Sequence, residues 1–538
     1  MKNLFVAMAA LAWLGAATSA EAADRRPASI PKAPVSEAAD WSGLYIGIDA
    51  GLQATRSDLT TIGVLTVGPF LAPFAFAPGG ATTLPYDGTG FRTAGVAGYN
   101  WQVARQWVLG IEGDIGWSDN KTTLGGVAVP ALFCCATASF SSSVRTDWDA
   151  SLRARVGVLL TPSFLAYLTG GVAWQHFEEL SSCGPPFCAA VPPPGLTFVP
   201  FSFENGFTKA GWTIGGGVET MLWPNWFARA SYRYANFGTV TFSNTDLVTG
   251  GVAGGTTSIT STLDLKVRTH TASMGVAYKL GGPDASTPSP LMPAVTPIYK
   301  ARFAAPGWTG FYVGLSAGLF TTLTDVTTTS AFVNGVPNDF TNFATSAPLN
   351  GRGFGFGPYA GHNWQVTPRW VVGLEADWSW TRRAAALPGF PFTPGFFTSG
   401  VANDALAVRT SWVASARGRI GYLLSPAFLA YVTGGGAWLH YDVESDCPGL
   451  CSLPITTLGP TIITSDTTKA GWTVGAGFES WLWDRWFARA EYRYADFGTE
   501  AFTLTRTGPG LVASVVDNFD VRIRTHAVSF GIAYRLAD

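Results

Sequence analysis

Several stretches of this sequence occur twice. WSGLYIGIDAG, starting at Trp41, returns as WTGFYVGLSAG at Trp308, and WFARASYRYANFGT, starting at Trp226, returns as WFARAEYRYADFGT at Trp486. The interval of about 265 residues is much longer than a solenoid unit and matches the size of a whole domain. The sequence therefore predicts two copies of one domain, and the fold assigned to one copy must suit the other.

Within each copy, short segments alternate in character with a period of two. From Trp107 to Trp117 the odd positions carry mostly Trp, Leu and Ile, whereas most even positions carry Gly, Glu or Asp. Such alternation is typical of a β-strand with one apolar face. The chain as a whole is 14% aromatic and only 13% charged. An apolar face rimmed by aromatic residues, with charge on the opposite face, indicates the wall of a transmembrane β-barrel.

The N-terminus predicts export. An apolar stretch, Leu4–Ala17, precedes small residues that offer an A-x-A-like cleavage site, so we interpret residues 1–23 as a signal peptide; the alternative is an anchor helix, for which the stretch is short. Two further apolar stretches, Val156–Trp174 and Ile420–Trp438, each contain a proline turn and alternate in period two. We therefore read them as paired strands rather than as membrane helices.

Each copy is predicted to contain eight strands, joined alternately by tight turns and by longer segments rich in Gly, Ser, Thr and Pro. Bacterial outer-membrane barrels have short periplasmic turns and longer outer loops. The fold class is therefore all-β, with transmembrane antiparallel up-and-down barrels. The predicted layout is a signal peptide at 1–23, a Pro-bearing leader at 24–40, barrel copy one at 41–280, a periplasmic linker at 281–307 and barrel copy two at 308–538.

Sixteen strands can close either as two eight-stranded barrels or as one sixteen-stranded barrel. Each copy has its own leader, opening strand and closing strand, and a join of about 25 residues is longer than a periplasmic hairpin turn. An eight-stranded barrel is just wide enough for side chains to fill, whereas sixteen strands enclose an aqueous channel. We expect two barrels, and the pairing partner of the first strand decides between the alternatives.

Opposite charges occupy the predicted inward faces of neighbouring strands. One interpretation is a salt-bridge network that plugs a narrow barrel, and the other is a charged constriction that selects solutes. Barrel width favours the plug, because long paired side chains fill the space without leaving an orphaned charge. The predicted network comprises Glu112, Asp114, Arg153, Arg155, Arg229 and Arg233 in copy one, and Glu375, Asp377, Arg417, Arg419, Arg489 and Arg493 in copy two.

The chain has six cysteines. Because an exported protein meets oxidising conditions, two pairs are predicted to form small loop disulfides: Cys183 with Cys188, and Cys447 with Cys451. Zinc binding is the alternative, but neither loop contains a nearby histidine. The pairing of the adjacent Cys134 and Cys135 stays open. No catalytic constellation, metal site or cofactor is predicted. The glycine runs lie within predicted strands and lack the lysine of a phosphate-binding loop.

Two motifs resemble a known family. The pattern W-[ST]-G-[LF]-Y-[IV]-G, at Trp41–Gly47 and Trp308–Gly314, is similar to the opening strand of small alphaproteobacterial outer-membrane β-barrel proteins of the porin or opacity type. The YRY-x-x-F-G-T strings at Tyr232–Thr239 and Tyr492–Thr499 resemble their seventh strand. The resemblance implies one eight-stranded barrel per copy and a structural, adhesive or antigenic role. The chain departs from the family in having two copies, and in ending with Leu536-Ala537-Asp538 instead of an aromatic residue.

Three functions follow as hypotheses. The first is an envelope-structural and surface-interaction protein with plugged barrels and long outer loops, the second a passive channel for small solutes, and the third a lipid-modifying enzyme, which lacks a recognisable catalytic site. The expected partners are outer-membrane lipid and lipopolysaccharide, the barrel-assembly machinery, and host or environmental ligands bound by the loops. A net charge of −2 offers no basic surface for nucleic acid. The expected location is the bacterial outer membrane.

Overall fold

The structure, a computed structural model, consists almost entirely of β-strands. Among the described residues, no helix is long and apolar enough to cross a membrane. The described residues are 40–68, 75–76, 83–125, 140–183, 196–198, 201–250, 255–280, 307–333, 335–337, 346–388, 405–447, 451–453, 456–458, 461–507 and 514–536.

Each copy contains eight long strands, with short strands of two or three residues between some of them. The strands of the first copy are β1 (Gly43–Val67), β2 (Thr83–Gln102), β3 (Trp107–Gly125), β4 (Phe140–Thr161), β5 (Phe164–Cys183), β6 (Phe201–Trp223), β7 (Trp226–Gly250) and β8 (Gly255–Leu280). Those of the second copy are β9 (Gly310–Val333), β10 (Gly351–Gln365), β11 (Trp370–Pro388), β12 (Ala405–Ser425), β13 (Phe428–Cys447), β14 (Thr461–Trp483), β15 (Trp486–Thr507) and β16 (Ser514–Arg535).

Each set of eight strands closes into its own antiparallel barrel. Strand β1 pairs with β8 along its length, from Leu44 opposite Leu280 onward. Strand β9 pairs in the same way with β16, from Tyr312 opposite Arg535 onward. Within the described residues, no strand of one copy pairs with a strand of the other. The prediction of two eight-stranded barrels is confirmed and the sixteen-stranded alternative is wrong, because each copy satisfies its two edge strands locally.

The strands are longer than the sequence predicts. The alternation in the sequence predicts that β1 ends near Gln53, but the strand continues to Val67. A long loop is expected between Phe237 and Arg268, yet nearly all of this segment belongs to β7 and β8. A membrane-spanning strand needs only about 9–11 residues, so both barrels extend beyond the bilayer. The apolar alternation ends where the outward face meets water, whereas the hydrogen-bonded strand pairing continues.

The outward side chains form an apolar band between two aromatic belts. Ile48 and Leu168 are 68% and 66% exposed, as lipid-facing residues are in the absence of lipid. Trp107 and Trp226 lie at the end of the barrel that carries the tight turns, called the turn end below, and Trp212 lies in the opposite belt. This is the expected outer surface of a membrane-spanning barrel.

The inward side chains fill each lumen in layers. A charged layer lies in the middle of each lumen, between two apolar layers. At the turn end of the first barrel the apolar layer comprises Trp41, Val108, Leu159, Leu165 and Tyr167. At the opposite end, buried apolar side chains include Tyr86, Val144, Phe177, Phe237 and Leu265. The second barrel has matching layers, which include Trp308, Val371 and Leu429 at the turn end and Leu406, Tyr441 and Phe497 at the other.

Candidate functional site

The six charged residues predicted for the first barrel lie on β3, β4 and β7. Residues two apart on a strand share a face, so each of these strands directs a pair of charges inward. The structure brings all six charged residues predicted for this copy into the lumen, where they are nearly inaccessible to solvent. Glu112 lies at the centre of the layer and is 1% exposed.

Glu112 accepts hydrogen bonds from four side chains. Its Oε1 lies 2.7 Å from Arg153 Nη2 and 3.0 Å from Arg229 Nη2. Its Oε2 lies 2.6 Å from the Tyr45 hydroxyl and 3.3 Å from Arg155 Nη1. These donors come from β1, β4 and β7, so a single carboxylate ties together strands on different sides of the lumen. Charge-assisted bonds of this kind are among the stronger ones in proteins.

A second centre in this layer includes two residues that the predicted network lacks. Arg92 on β2 donates from Nε to Asp149 at 2.7 Å and also pairs with Asp114. Arg233 bridges the same two carboxylates. Arg92 was missed because β2 is rich in small residues and its inward face shows only when β2 is registered against β3.

The second barrel repeats this arrangement around Glu375. Its carboxylate accepts hydrogen bonds from the Tyr312 hydroxyl at 2.6 Å, from Arg417 at 2.6 Å and from Arg489 at 3.0 Å. Asp377 accepts from Arg493 at 2.7 Å. The structure brings all six charged residues predicted for this copy together in the lumen. Glu479 and Glu491 belong to the same layer and pair with Arg419 and Arg417 respectively.

Both charged layers are balanced, although their composition differs. Among the described residues, the first layer has five acidic and five basic side chains: Asp49, Glu112, Asp114, Asp149 and Glu219, against Arg92, Arg153, Arg155, Arg229 and Arg233. The second has four of each: Glu375, Asp377, Glu479 and Glu491, against Arg417, Arg419, Arg489 and Arg493. Each copy therefore keeps neutrality with its own set of residues.

Tyrosine rings connect the charged layers to the apolar layer below them. The Arg155 guanidinium carbon lies 4.0 Å from the centroid of the Tyr167 ring. In the second barrel, Arg419 and Arg489 lie 4.1 Å from the ring centroids of Tyr431 and Tyr359. Such cation–π contacts are strongest where water is excluded. The arginines therefore pack on rings as well as pairing with acids, which leaves little space around them.

Four histidines lie within strands, on the outward faces and outside the charged layers. Each uses Nδ1 to bond a hydroxyl of the neighbouring strand: His176 with Thr208, His440 with Thr468, His270 with Tyr232 and His526 with Tyr492. These bonds fix ring orientation and supply no partner that would activate a nucleophile.

One group of potential metal ligands lies towards the outer end of the first barrel. Ligand atoms of Asp147, His176 and Glu178 lie within 4.8 Å of one another. The guanidinium of Arg145 already pairs with Asp147 at 2.7 Å and approaches Glu178 at 3.8 Å. Because a cation of the protein itself neutralises these carboxylates, we assign no metal to them.

The predicted disulfide residues lie at the limits of the described part of the chain. The backbones of Cys183 and Cys447 end β5 and β13, and that of Cys451 begins a short strand, but their side chains are outside the described residues. Both disulfide pairings stay predictions. The remaining cysteines lie wholly outside the described residues: Cys134, Cys135 and Cys188.

One family model matches both copies, whereas each relative matches about half of the chain or less. The model of the outer membrane protein beta-barrel domain matches residues 8–280 and again 296–535. The 31 kDa outer-membrane immunogenic protein of Brucella melitensis is 27% identical over 284 residues, covering 52% of this chain and 100% of the relative. The 25 kDa outer-membrane immunogenic protein of Brucella abortus is 28% identical over 280 residues, covering 52% and 98%.

A third relative comes from a different genus. The 22 kDa outer membrane protein of Rhizobium leguminosarum is 27% identical over 206 residues, covering 38% of this chain and 69% of the relative. These matches confirm the resemblance drawn from the Trp-Gly-Tyr and Tyr-Arg-Tyr motifs. The chain belongs to the outer membrane protein beta-barrel domain family, and it is an outer-membrane protein that carries the barrel twice.

Proposed function

We propose that this protein is a non-conducting structural and surface-interaction protein of the outer membrane. The observation that carries the proposal is the filling of each lumen: a charge-balanced layer lies between two apolar layers. The barrels act as anchors, and their outer ends act as the part that meets other molecules.

A channel would need a different lumen. A charged constriction places rings of charged side chains around an open path. Here acids and arginines are equal in number in both layers, and Glu112, Glu219 and Arg229 are each at most 1% exposed. A solute could pass only by breaking several buried ion pairs and displacing the apolar layers on either side. The narrow width of an eight-stranded barrel points the same way.

The surface role rests on the strand extensions and on the relatives. Strands such as β7 and β8 continue well past the upper aromatic belt, so folded protein extends outside the bilayer. Two of the relatives are named immunogenic outer-membrane proteins, and we carry exposure at the cell surface over to this chain as part of the proposal. The partners we propose are lipid and lipopolysaccharide at the apolar band, the barrel-assembly machinery, and environmental or host ligands at the outer ends.

Conductance of the full chain in planar lipid bilayers tests the proposal. The expected result is no ohmic step, under conditions in which a sixteen-stranded porin conducts and in which this protein migrates as a heat-modifiable band on gels. Heat modifiability shows that the barrels are folded, so silence cannot be attributed to failed insertion. A reproducible ohmic step from the wild-type chain would overturn the plugged lumen and favour the passive channel.

A further inference from the structure

Part of the outward surface of each barrel is covered. Ala230 lies between the inward-facing Arg229 and Ser231, so its side chain points outward, yet it is 0% exposed. Ala490, at the same position of the second copy, is also 0% exposed. Lipid-facing residues elsewhere on the barrels are largely open. The outward residues on either side of Ala230 along the strand, Ala228 and Tyr232, both contact the second barrel.

Near the turn end, apolar side chains of the two barrels interlock. Leu222 and Ala228 of the first barrel form one buried cluster with Phe428 and Phe478 of the second. Beside them, the Thr220 and Ser480 hydroxyl oxygens lie 3.1 Å apart and share a hydrogen bond across the contact. Both residues are buried at the contact, so each hydroxyl supplies the hydrogen-bond partner that the other would lack.

The contact continues toward the outer end. Leu52 and Ala272 of the first barrel share a buried cluster with Val528 of the second. The Tyr232 ring meets the Phe354 ring edge-on, with centroids 5.6 Å apart. The two barrels therefore touch from one aromatic belt to the other.

Beyond the outer belt the contact becomes polar. Asn350 Nδ2 donates to the backbone oxygen of Asp87 at 2.7 Å. Arg352 Nη2 lies 3.7 Å from the carboxylate of the same Asp87. The contact between the barrels is thus apolar along the lipid-facing band and polar beyond it, as the change from lipid tails to headgroups requires. Both barrels therefore have the same orientation across the membrane.

Equivalent residues of the two copies meet at this contact. Thr220 and Ser480, which bond each other, follow the same glutamate in the GVET and GFES segments of the repeat. Strand β4 approaches β14, and the equivalent pair, β12 and β6, also approach each other. An interface in which i meets j′ and j meets i′ has two-fold symmetry.

We infer that the two barrels form a fixed side-by-side pair with pseudo-two-fold symmetry, and that the partner for this face is the other barrel of the same chain. Small residues such as Ala228 and Ala230 let the barrel walls approach closely, which is how membrane segments associate when lipid removes the hydrophobic drive. The linker between Leu280 and Gly310 raises the effective concentration of one barrel near the other. This inference does not depend on whether the lumen conducts.

A protease site placed within the 281–307 linker tests the pairing in the full chain. After cleavage in bilayer nanodiscs and in mild detergent, the two halves of the wild type are expected to migrate as one particle. The double variant Ala230→Trp/Ala490→Trp places indoles in the contact and is expected to give two particles. The matched control, Leu168→Trp/Val432→Trp, alters equivalent lipid-facing positions outside the contact and is expected to behave as wild type.

Heat modifiability of each half reports whether its barrel is folded. If the indole variant loses heat modifiability, the double variant Tyr232→Ala/Tyr492→Ala replaces it, because it removes bulk from the contact without a clash. The halves of this variant are also expected to separate. The inference is overturned if the cleaved wild type separates into two folded halves, or if the folded contact variants stay together as firmly as the control. Neither outcome bears on bilayer conductance, so this test and that of the plugged lumen fail independently.

Discussion

Replacing Asp149 with valine is expected to destabilise the first barrel strongly. Asp149 is 1% exposed and accepts from Arg92 Nε at 2.7 Å and Nη2 at 2.8 Å, as well as from Arg233. Without it, Arg92 and Arg233 share Asp114 alone, and the layer gains one uncompensated positive charge. Removing one partner of a buried ion pair costs about 3–5 kcal/mol, so we expect the free energy of unfolding to fall by about that amount.

The second barrel supplies a matched rescue of this loss. There Val413 stands at the Asp149 position and Gly355 at the Arg92 position, and a Cβ on Gly355 would lie 2.6 Å from Phe320 Cε2. The Phe320 ring thus fills the space that the arginine takes in the first barrel. The rescue variant carries the second barrel's side chains at four positions: Gln53→Phe, Arg92→Gly, Asp149→Val and Gln175→Leu.

The rescue variant should lie within about 1 kcal/mol of wild type, because well-packed apolar residues can replace a buried ion pair without loss. Denaturant unfolding in detergent micelles, followed by Trp fluorescence and by the heat-modifiable band, measures both variants. The second barrel is unchanged and serves as the internal reference. The reasoning is refuted if Asp149→Val is as stable as wild type, or if the four-residue variant is no more stable than the single one.

Three further changes have defined outcomes. Trp41→Ala removes a buried indole that donates to the Pro162 oxygen at 3.0 Å; a loss of about 3–5 kcal/mol is expected in denaturant unfolding. Tyr45→Phe deletes the hydroxyl bonded to Glu112 and should cost about 1–3 kcal/mol in the same assay. Burial raises the pKa of Asp246, far beyond the outer belt, to about 6. Its neutral form is favoured in the folded state, so the stability of the protein should fall as pH rises from about 4 through 6. Measured as Tm against pH, this fall should be smaller in Asp246→Asn by the share that Asp246 contributes. A pH profile of the variant identical to that of the wild type would contradict the assignment.

Much of the fold could be predicted because a strand repeats its environment every two residues. Along β3 the alternation around Glu112 and Asp114 separates lumen from lipid, and the proline turn before Phe164 marks a hairpin. The same period places Arg229 and Arg233 inward on β7. The contacts of each lumen residue could not be predicted in this way, because they depend on the register between strands that are far apart in sequence.

Two parts of the structure left weak signals in the sequence. Arg92 stands among glycines and small residues, so β2 shows little of the contrast that reveals a face. Asp49 follows the clear alternation of Leu44, Ile46 and Ile48 on β1, so the sequence did carry the signal for its inward position. The contact between barrels was missed because Ala228 and Ala230 are as compatible with lipid as with protein. The available signal was the repeated WFARA string, which places alanines where other strands place large aliphatic residues.

The length of β7 has a consequence for how the cell surface is seen from outside. Its 25 residues, at about 3.3 Å each and a tilt of about 40°, rise ~60 Å along the barrel axis. The lipid-facing band of such barrels is about 25 Å tall, so a hydrogen-bonded wall roughly 30 Å high extends beyond that band at the end opposite the turn end. In the surface role that we propose, an antibody or phage would contact the walls of two adjoining barrels before it reached lipid. Removal of the loops at the outer ends would leave most of these walls in place.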